Sequence, residues 1–169
     1  MKKIIVITVI LALVVCGMIL VFRTPRRLSR LHVHLTATEG RSAQRVRAIQ
    51  GGTNWNWRGG GYSSDSLHPL QIHDFTTATL YLNSADGEIV LRFSGRSSPT
   101  TVYAMRWRAE YATIRPISDV SGRWESVEVD GRTIRISNDG DDYIYQVAAH
   151  WSGTDSFASY TFRVMSGGE

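Results

Sequence analysis

The sequence has very little lysine and cysteine, and both residue types are confined to its N-terminal end. Lys2 and Lys3 are the only lysines and Cys16 is the only cysteine among the 169 residues. One thiol cannot form an intrachain disulfide, so the cysteine content gives no information on the redox compartment. Acidic residues are missing before Glu39, whereas beyond residue 30 the chain has 13 Arg and 15 acidic residues. The net charge of +4 therefore belongs to the N-terminal segment, and this balance disfavours a nucleic-acid-binding domain.

Charge is also absent from residues 4–22, which read IIVITVILALVVCGMILVF. As an α-helix rising about 1.5 Å per residue, this segment would be ~28 Å long, close to the roughly 30 Å hydrocarbon core of a bilayer. A cleaved signal peptide would have a shorter apolar region and a small-residue cleavage site, which the sequence after Phe22 lacks. A lipoprotein signal would place the lipid on Cys16, although Val15 stands where Gly, Ala or Ser is expected. We predict a transmembrane helix over residues 4–22, with lipidation of Cys16 as the alternative.

The charges that flank residues 4–22 give conflicting indications of orientation. Lys2 and Lys3 precede the segment and four arginines follow it, which by the positive-inside rule favours a cytoplasmic domain. The short basic N-tail instead resembles the start of a secretory anchor, and the lysine-free remainder is rich in Trp, Tyr, Ser, Thr and Gly, as exported β domains often are. We predict the second orientation. The parts are then a cytoplasmic tail (1–3), the helix (4–22), a basic juxtamembrane linker (23–31), an extracytoplasmic β-sandwich domain (32–165) and a disordered tail (166–169).

Beyond the linker, short segments alternate apolar and polar residues with the period of two that is typical of β-strands. No long segment after residue 30 sustains a helical period, although residues 106–114 are ambiguous. Asp130-Gly131 lies between two of the segments and favours a tight hairpin turn. The predicted strands are residues 32–38, 44–49, 77–82, 88–94, 101–108, 124–129, 132–137, 143–151 and 157–164.

The last two predicted strands indicate the fold class, because each places an apolar stripe on one face. Two facing stripes of this kind form half of a sandwich core, and short strands joined by short turns point to an all-β, antiparallel sandwich. The first stripe contains Tyr145, Val147, Ala149 and Trp151, and the second contains Ala158, Tyr160, Phe162 and Val164.

The same two strands carry a family resemblance. The pattern Tyr-x-Tyr-x-Val-x-Ala-x-Trp over 143–151, followed by a turn and Tyr-x-Phe-x-Val, resembles the last hairpin of bacterial immunoglobulin-like domains. Together with Gly52-Thr53, Trp57 and His68-Pro69-Leu70, it is similar to a family of uncharacterised short membrane-anchored or lipoprotein-like proteins of Gram-positive bacteria. The resemblance implies an immunoglobulin-like β-sandwich preceded by one N-terminal transmembrane helix, and it implies no activity.

A glycine-rich stretch over residues 51–66, GGTNWNWRGGGYSSDS, is predicted to be a loop that carries the contact surface. Exposed aromatic rings can stack on sugar rings or anchor a protein partner. The resemblance assigns Trp57 to the core, so Trp55 is expected to be the exposed ring. The predicted ligand-binding residues, for an envelope protein or polysaccharide, are Trp55, Asn56, Arg58 and Tyr62.

Three other groups have residue types suited to catalysis or metal binding. His68, His73 and Asp74 could take part in acid–base chemistry, but no nucleophile motif accompanies them. His32 and His34 would share a strand face and could hold a metal ion only with a further ligand. Residues 138–142 (NDGDD) are rich in oxygen ligands for calcium, yet they lack the EF-hand spacing and also have the composition of a turn.

The sequence contains no Gly-x-Ser-x-Gly elbow, His-Glu-x-x-His zinc motif or phosphate-binding loop. We therefore predict no catalytic residue, metal or cofactor. The expected function is that of a membrane-tethered, extracytoplasmic binding module without enzymatic activity. Two alternatives stay open: an envelope hydrolase that uses His68, His73 and Asp74, and a structural partner of another membrane protein.

Overall fold

The computed structural model describes residues 13–16, 30–37, 44–57, 60–83, 86–94, 98–137, 139–153 and 155–167. Residues 13–16 are helical, and the other residues of the predicted transmembrane helix, 4–12 and 17–22, lie outside the described residues. Within the described ranges, no helix is long and apolar enough to cross a bilayer.

The described part of the chain is all-β, as predicted, and its strands pair almost entirely antiparallel. Two 3₁₀ turns, Pro69–Gln71 and Ala109–Thr113, and one short helix α1, Ser118–Ser121, lie between strands. The strands are β1 Leu31–Ala37, β2 Gln44–Arg47, β3 Ile49–Trp57, β4 Gly60–Ser64, β5 Thr79–Leu82, β6 Asp86–Phe93, β7 Thr101–Arg108, β8 Glu125–Val127, β9 Thr133–Ser137, β10 Tyr143–Trp151 and β11 Ser156–Ser166.

The strands form two sheets. The smaller sheet has the order β2-β1-β6-β9, and the larger has the order β4-β3-β11-β10-β7-β8. β5 is the exception to antiparallel pairing, because it runs parallel to the C-terminal half of β11. β3 pairs with the N-terminal half of the same strand, so β11 is covered along that edge by two different strands.

The core lies where the two predicted apolar stripes meet. β10 and β11 pair antiparallel, with Tyr145 opposite Phe162 and Val147 opposite Tyr160. The rings of Tyr145 and Phe162 stack with centroids 5.2 Å apart and planes 4° apart. All eight residues of the two stripes are buried, which confirms the predicted inward faces of these strands. Burial of large apolar side chains is the main favourable contribution to folding.

The two sheets are joined at one side by a nearly continuous extended segment that passes from the small sheet to the large one. β2 belongs to the small sheet and β3 to the large one, and Ala48 separates them in the chain. The backbone N–H of Ala48 donates to the carbonyl of Leu31 at 3.0 Å, which holds this corner against β1. The side-chain amide of Gln44 closes the same side by donating to the carbonyl of Tyr81 and accepting from its N–H, both at 2.8 Å.

A second apolar layer covers part of the outer face of the large sheet. Ile144 and Trp107 lie opposite each other on β10 and β7 and point away from the main core. Both are buried, together with Leu70 of the first 3₁₀ turn and Val120 of α1. The indole Nε1 of Trp107 donates to the carbonyl of Ser121 at 3.0 Å, so the irregular segments are held on the sheet by a side chain of the sheet itself.

Two local predictions need correction, and one segment that the sequence left ambiguous can now be assigned. Residues 51–66 were expected to be a loop, but most of them form the antiparallel pair β3 and β4. Asp130-Gly131 does form a turn, with Gly131 at φ 61° and an isolated bridge between Asp130 and Thr133. The strands on its two sides, however, do not form the expected hairpin, since β8 pairs with β7 and β9 pairs with β6. The ambiguous residues 106–114 divide into the end of β7 and a 3₁₀ turn.

Candidate functional site

The β3–β4 pair is held on the large sheet by small residues. The hydroxyl of Ser159 on β11 donates to the carbonyl of Gly52 at 3.2 Å, at a point where the pairing of β3 with β11 shifts register. A Cβ atom at Gly51 would overlap the Oγ of Ser159. Glycine therefore serves here for close approach of two strands rather than for loop flexibility, which explains why its abundance was misleading.

The expectation that Trp55 is the exposed ring is wrong. Its side chain is only 6% exposed. It packs edge-to-face on Trp151, with ring centroids 4.9 Å apart. The cause is the pairing of β3 with β11, which turns Thr53 and Trp55 inward at alternate positions. The Nε1 of Trp55 is buried without a hydrogen-bond partner in the described part of the protein.

The other predicted ligand-binding residues have different environments. Tyr62 lies opposite Trp55 on β4 and is 49% exposed. Asn56 is half-buried, and its side-chain Nδ2 donates to the carbonyl of Asp155 at 3.2 Å. Its backbone N–H donates to the hydroxyl of Ser156 at 2.9 Å. Arg58 and the side chain of Trp57 lie outside the described residues. Asn56 thus joins β3 to the turn that leads into β11.

That turn borders an open cleft of about 290 Å³ at the end of the large sheet. We call it the aromatic cleft; it is lined by the start of β7, the end of β10 and the start of β11. The residues that line it are Thr100, Thr101, Tyr103, His150, Trp151, Ser152, Asp155 and Ser156.

Three rings form a row across the outer face of the sheet at this cleft. Tyr103 packs edge-to-face on His150 with centroids 6.1 Å apart, and His150 contacts Phe157 at 5.0 Å. Each ring belongs to a different strand, since β7, β10 and β11 are neighbours in the sheet. Tyr103 is 58% exposed, more than the other exposed strand tyrosines, Tyr62 and Tyr81. A rigid sheet therefore presents an aromatic surface to solvent.

Hydrogen bonds fix the polar rim beside these rings. The hydroxyls of Thr100 and Ser152 are 3.0 Å apart, and the N–H of Ser152 donates to the Thr100 hydroxyl at 3.1 Å. The N–H of Thr100 also donates to the carbonyl of His150 at 2.7 Å. Asp155 has a positive φ of 48°, a conformation that aspartate tolerates better than most residues. The rim is pre-organised around the cleft.

Sequence reasoning missed this site because its residues are spread over three strands. Tyr103 and His150 were assigned to strands, but only their pairing register brings them together. The available signal was an aromatic residue at a polar position of the period-two pattern in each strand. The exposed Tyr103 directly precedes the buried Ala104. The exposed His150 lies between the buried Ala149 and Trp151.

His68, His73 and Asp74, the basis of the hydrolase alternative, have separate environments. His73 lines an open pocket of about 470 Å³ together with Gln71 and Arg115. His68 precedes the first 3₁₀ turn, where its Nδ1 accepts from the N–H of Leu70 at 3.2 Å and its ring contacts Trp107 at 5.3 Å. Burial lowers the pKa of His68. Asp74 accepts from the N–H of Thr76 at 2.9 Å, and hydrogen bonds from the side chain and the backbone of Thr76 lower the pKa of Asp74. No hydrogen bond joins any two of the three side chains.

The acidic run at 138–142 is engaged in protein contacts over the residues that are described, 139–142. Asp139 accepts from the hydroxyl of Tyr143 at 2.7 Å. Asp141 pairs with Arg108 at 3.1 Å, and Asp142 pairs with Arg163 at 2.7 Å. Among the described residues, no group of three or more His, Cys, Asp or Glu side chains is arranged to hold a metal ion.

Comparisons with known proteins add no assignment. No family model, curated protein or solved structure matches the chain.

Proposed function

We propose that the protein is a membrane-tethered, extracytoplasmic binding module without enzymatic activity, and that the aromatic cleft binds an envelope polysaccharide. The observation that carries the proposal is the exposed Tyr103 ring beside His150, with the fixed hydroxyls of Thr100 and Ser152 at its edge. Sugars present apolar ring faces and rims of hydroxyl groups, so flat aromatic rings flanked by hydrogen-bonding groups complement them. The membrane location rests on the apolar residues 4–22.

The finer fold assignment, an immunoglobulin-like sandwich, is part of the same proposal. Such a sandwich has neighbouring strands A, B and E in one sheet and C, F and G in the other, with C′ added beside C in some domains. β1, β6 and β9 are neighbours in that sense, and so are β7, β10 and β11, with β8 in the position of C′. β2 to β5 would then be an insertion after the first strand. The membership in the Gram-positive family that the closing hairpin suggests is likewise proposed.

Tyr143 supports this assignment. In immunoglobulin-like domains a tyrosine near the start of strand F donates its hydroxyl to a backbone group a few residues upstream. Tyr143 is the first residue of β10, the counterpart of F, and its hydroxyl also donates upstream, but to the side-chain carboxylate of Asp139, at 2.7 Å. The guanidinium of Arg106 lies 3.9 Å from the centre of the Tyr143 ring. Burial and the hydrogen bond to Asp139 raise the pKa of Tyr143 to about 12.

Substitution of the exposed tyrosine tests the proposed site. We expect Tyr103→Ala to weaken binding of the full chain in detergent micelles to envelope glycan fragments by ~30-fold, the loss of a binding hot spot of about 2 kcal/mol. Calorimetric titration would measure it. Tyr81→Ala is the matched control, because Tyr81 is also an exposed strand tyrosine but lies on β5, away from the cleft. Unchanged binding by Tyr103→Ala, or an equal loss in both variants, would contradict the assignment.

A further inference from the structure

The outer face of the small sheet carries a cluster of basic side chains. On β1, His32 lies opposite Arg47 of β2 on one side and opposite Arg92 of β6 on the other. His34 lies opposite Arg45. We call these five residues, His32, His34, Arg45, Arg47 and Arg92, the basic face.

The basic face has little acidic compensation. The acidic residues on the same face of β6, Asp86 and Glu88, lie toward the other end of the strand from Arg92. The carboxylate of Glu88 pairs with Arg135 of β9 at 3.9 Å. Over the described ranges, Arg45, Arg47 and Arg92 take part in no ion pair. Like charges directly opposite each other on neighbouring strands are destabilising, so these His–Arg pairs would be unfavourable if the imidazoles were charged.

The histidines of the basic face reduce this cost near neutral pH. Partial burial lowers the pKa of His32, and Arg45, Arg47 and Arg30 lower it further. Partial burial also lowers the pKa of His34, with Arg92, Arg45 and His32 as additional causes. Both imidazoles are thus mostly neutral near pH 7, and the arginines supply the charge.

The other outer face of the sandwich is different. At the positions of β7 and β10 that point away from the core, the accessible side chains include no arginine, lysine or carboxylate. They are Thr101, Tyr103, Met105, Gln146, Ala148 and His150. The arginine cluster of the small sheet therefore has no counterpart at these positions of β7 and β10.

We propose that the basic face lies against the anionic phospholipid headgroups of the bilayer that anchors residues 4–22. This inference rests on the proposed membrane tether. Arg30 directly precedes β1, and Arg23, Arg26 and Arg27 precede it in the linker, so the basic face continues a positive segment that begins at the predicted membrane boundary. Eight residues, 23–30, extend at most about 28 Å at about 3.5 Å per residue. The tether thus keeps the start of β1 close to the headgroups.

Phosphate groups are well suited to this surface. Arginine binds phosphate through two parallel hydrogen bonds, and basic residues near an anionic bilayer are attracted to it over about a Debye length. Because the two sheets lie back to back, docking of the basic face on the bilayer turns the aromatic cleft away from the membrane. The cleft would then face the space in which an envelope polymer is found.

Site-directed fluorescence tests this orientation on the full chain. In a Cys16→Ser background, Val90→Cys places a fluorophore in the middle of the small sheet's outer face, next to His34. Ala148→Cys places it on the opposite outer face. The chains are reconstituted into vesicles of phosphatidylcholine alone or of phosphatidylcholine with phosphatidylglycerol, each with a quencher on a fraction of the headgroups. We expect quenching at position 90 only in the anionic vesicles and little quenching at position 148 in either.

Charge variants identify the residues responsible. Each of Arg45→Gln and Arg47→Gln should lower the ratio of docked to undocked chains about fivefold, as judged from quenching at position 90. The double Arg→Lys variant should retain docking because it keeps the charge. Arg123→Gln is the matched control, since Arg123 is exposed and lies outside the small sheet. Equal effects of Arg123→Gln and Arg45→Gln would overturn the proposal.

Vesicle flotation separates failure of this inference from failure of the tether. Chains that float with the vesicles but show no quenching at position 90 on anionic lipid would overturn the docking proposal and leave the tether intact. Chains that do not float would overturn both. A response at position 90 to soluble polyphosphate, without quenching by anionic lipid, would assign the face to a soluble polyanion and also overturn the proposal.

Discussion

At the scale of single residues, Trp55 supports the floor of the aromatic cleft through its contact with Trp151, which lines that cleft. Trp55→Ala should lower the free energy of unfolding by about 3–5 kcal/mol, because it leaves a large cavity in a packed core. Trp55→Phe should cost much less, since it keeps most of the packing and removes the unpaired Nε1–H. Equilibrium urea unfolding measures both changes.

Trp124 provides the control for this comparison. Its side chain is 50% exposed. Trp124→Ala should therefore change the free energy of unfolding by no more than about 0.5 kcal/mol. If Trp55→Ala were as mild as Trp124→Ala, the inward position of Trp55 would be wrong.

His68 makes part of the stability depend on pH. Its folded-state pKa lies below the ordinary value of 6.5 because burial disfavours the imidazolium, and its Nδ1 must be unprotonated to accept from Leu70. The stability contribution is therefore present above about pH 6.5 and is lost as the pH falls through the lowered value. His68→Asn keeps a capping oxygen that does not titrate in this range.

We expect the thermal midpoint of the wild-type protein to fall more than that of His68→Asn between about pH 7.5 and about pH 5, a range that includes the ordinary histidine pKa. The comparison isolates His68, because His32 and His34 titrate in both proteins. Parallel pH profiles would mean that the contact between His68 and Leu70 contributes nothing measurable.

At the scale of secondary-structure elements, β5 pairs with β11 along one edge, and a single side chain forms hydrogen bonds with its other edge. The Gln44 amide forms two hydrogen bonds with the backbone of Tyr81 and so replaces a neighbouring strand. Gln44→Ala should cost about 1–3 kcal/mol, because two backbone groups lose their partners. Hydrogen exchange at the Tyr81 amide should accelerate accordingly. Gln50→Ala, an exposed glutamine on β3, should leave that amide unchanged.

The alternation of apolar residues was sufficient to predict the all-β class and most strands, because a strand that packs one face on a core needs a period of two. The alternation was insufficient for β3 and β4. There Gly51 and Gly61 occupy strand positions at which a Cβ atom would clash with the side chains of Ser159 and Asn56. The Asp130-Gly131 turn was predicted correctly, but local turn chemistry does not determine which sheet each flanking strand joins. β8 pairs with β7 and β9 pairs with β6, and these pairings are contacts between residues far apart in the sequence.

The candidate site was predicted less well for the same reason. Asn56 was identified in the sequence and does approach the cleft through Asp155 and Ser156. Tyr103 and His150 were not identified, since their proximity depends on the register between β7 and β10. Register over long sequence separations is set by the whole fold and leaves no local signature.

At the scale of the whole molecule, the two outer faces of the sandwich differ in chemistry. One carries the arginines of the basic face, and the other carries the aromatic cleft, whose lining includes the carboxylate of Asp155. A tethered domain with this polarity can contact a bilayer on one side and a polymer on the other. Both contacts depend on residues 4–22 holding the domain at the outer surface of a membrane.

Treatment of intact cells with trypsin tests that dependence most directly. The predicted orientation exposes the arginines of residues 23–30, so cleavage there should release the β domain into the medium while residues 4–22 stay in the membrane fraction. A folded β domain that remains cell-associated and uncut until the cells are lysed would contradict the account.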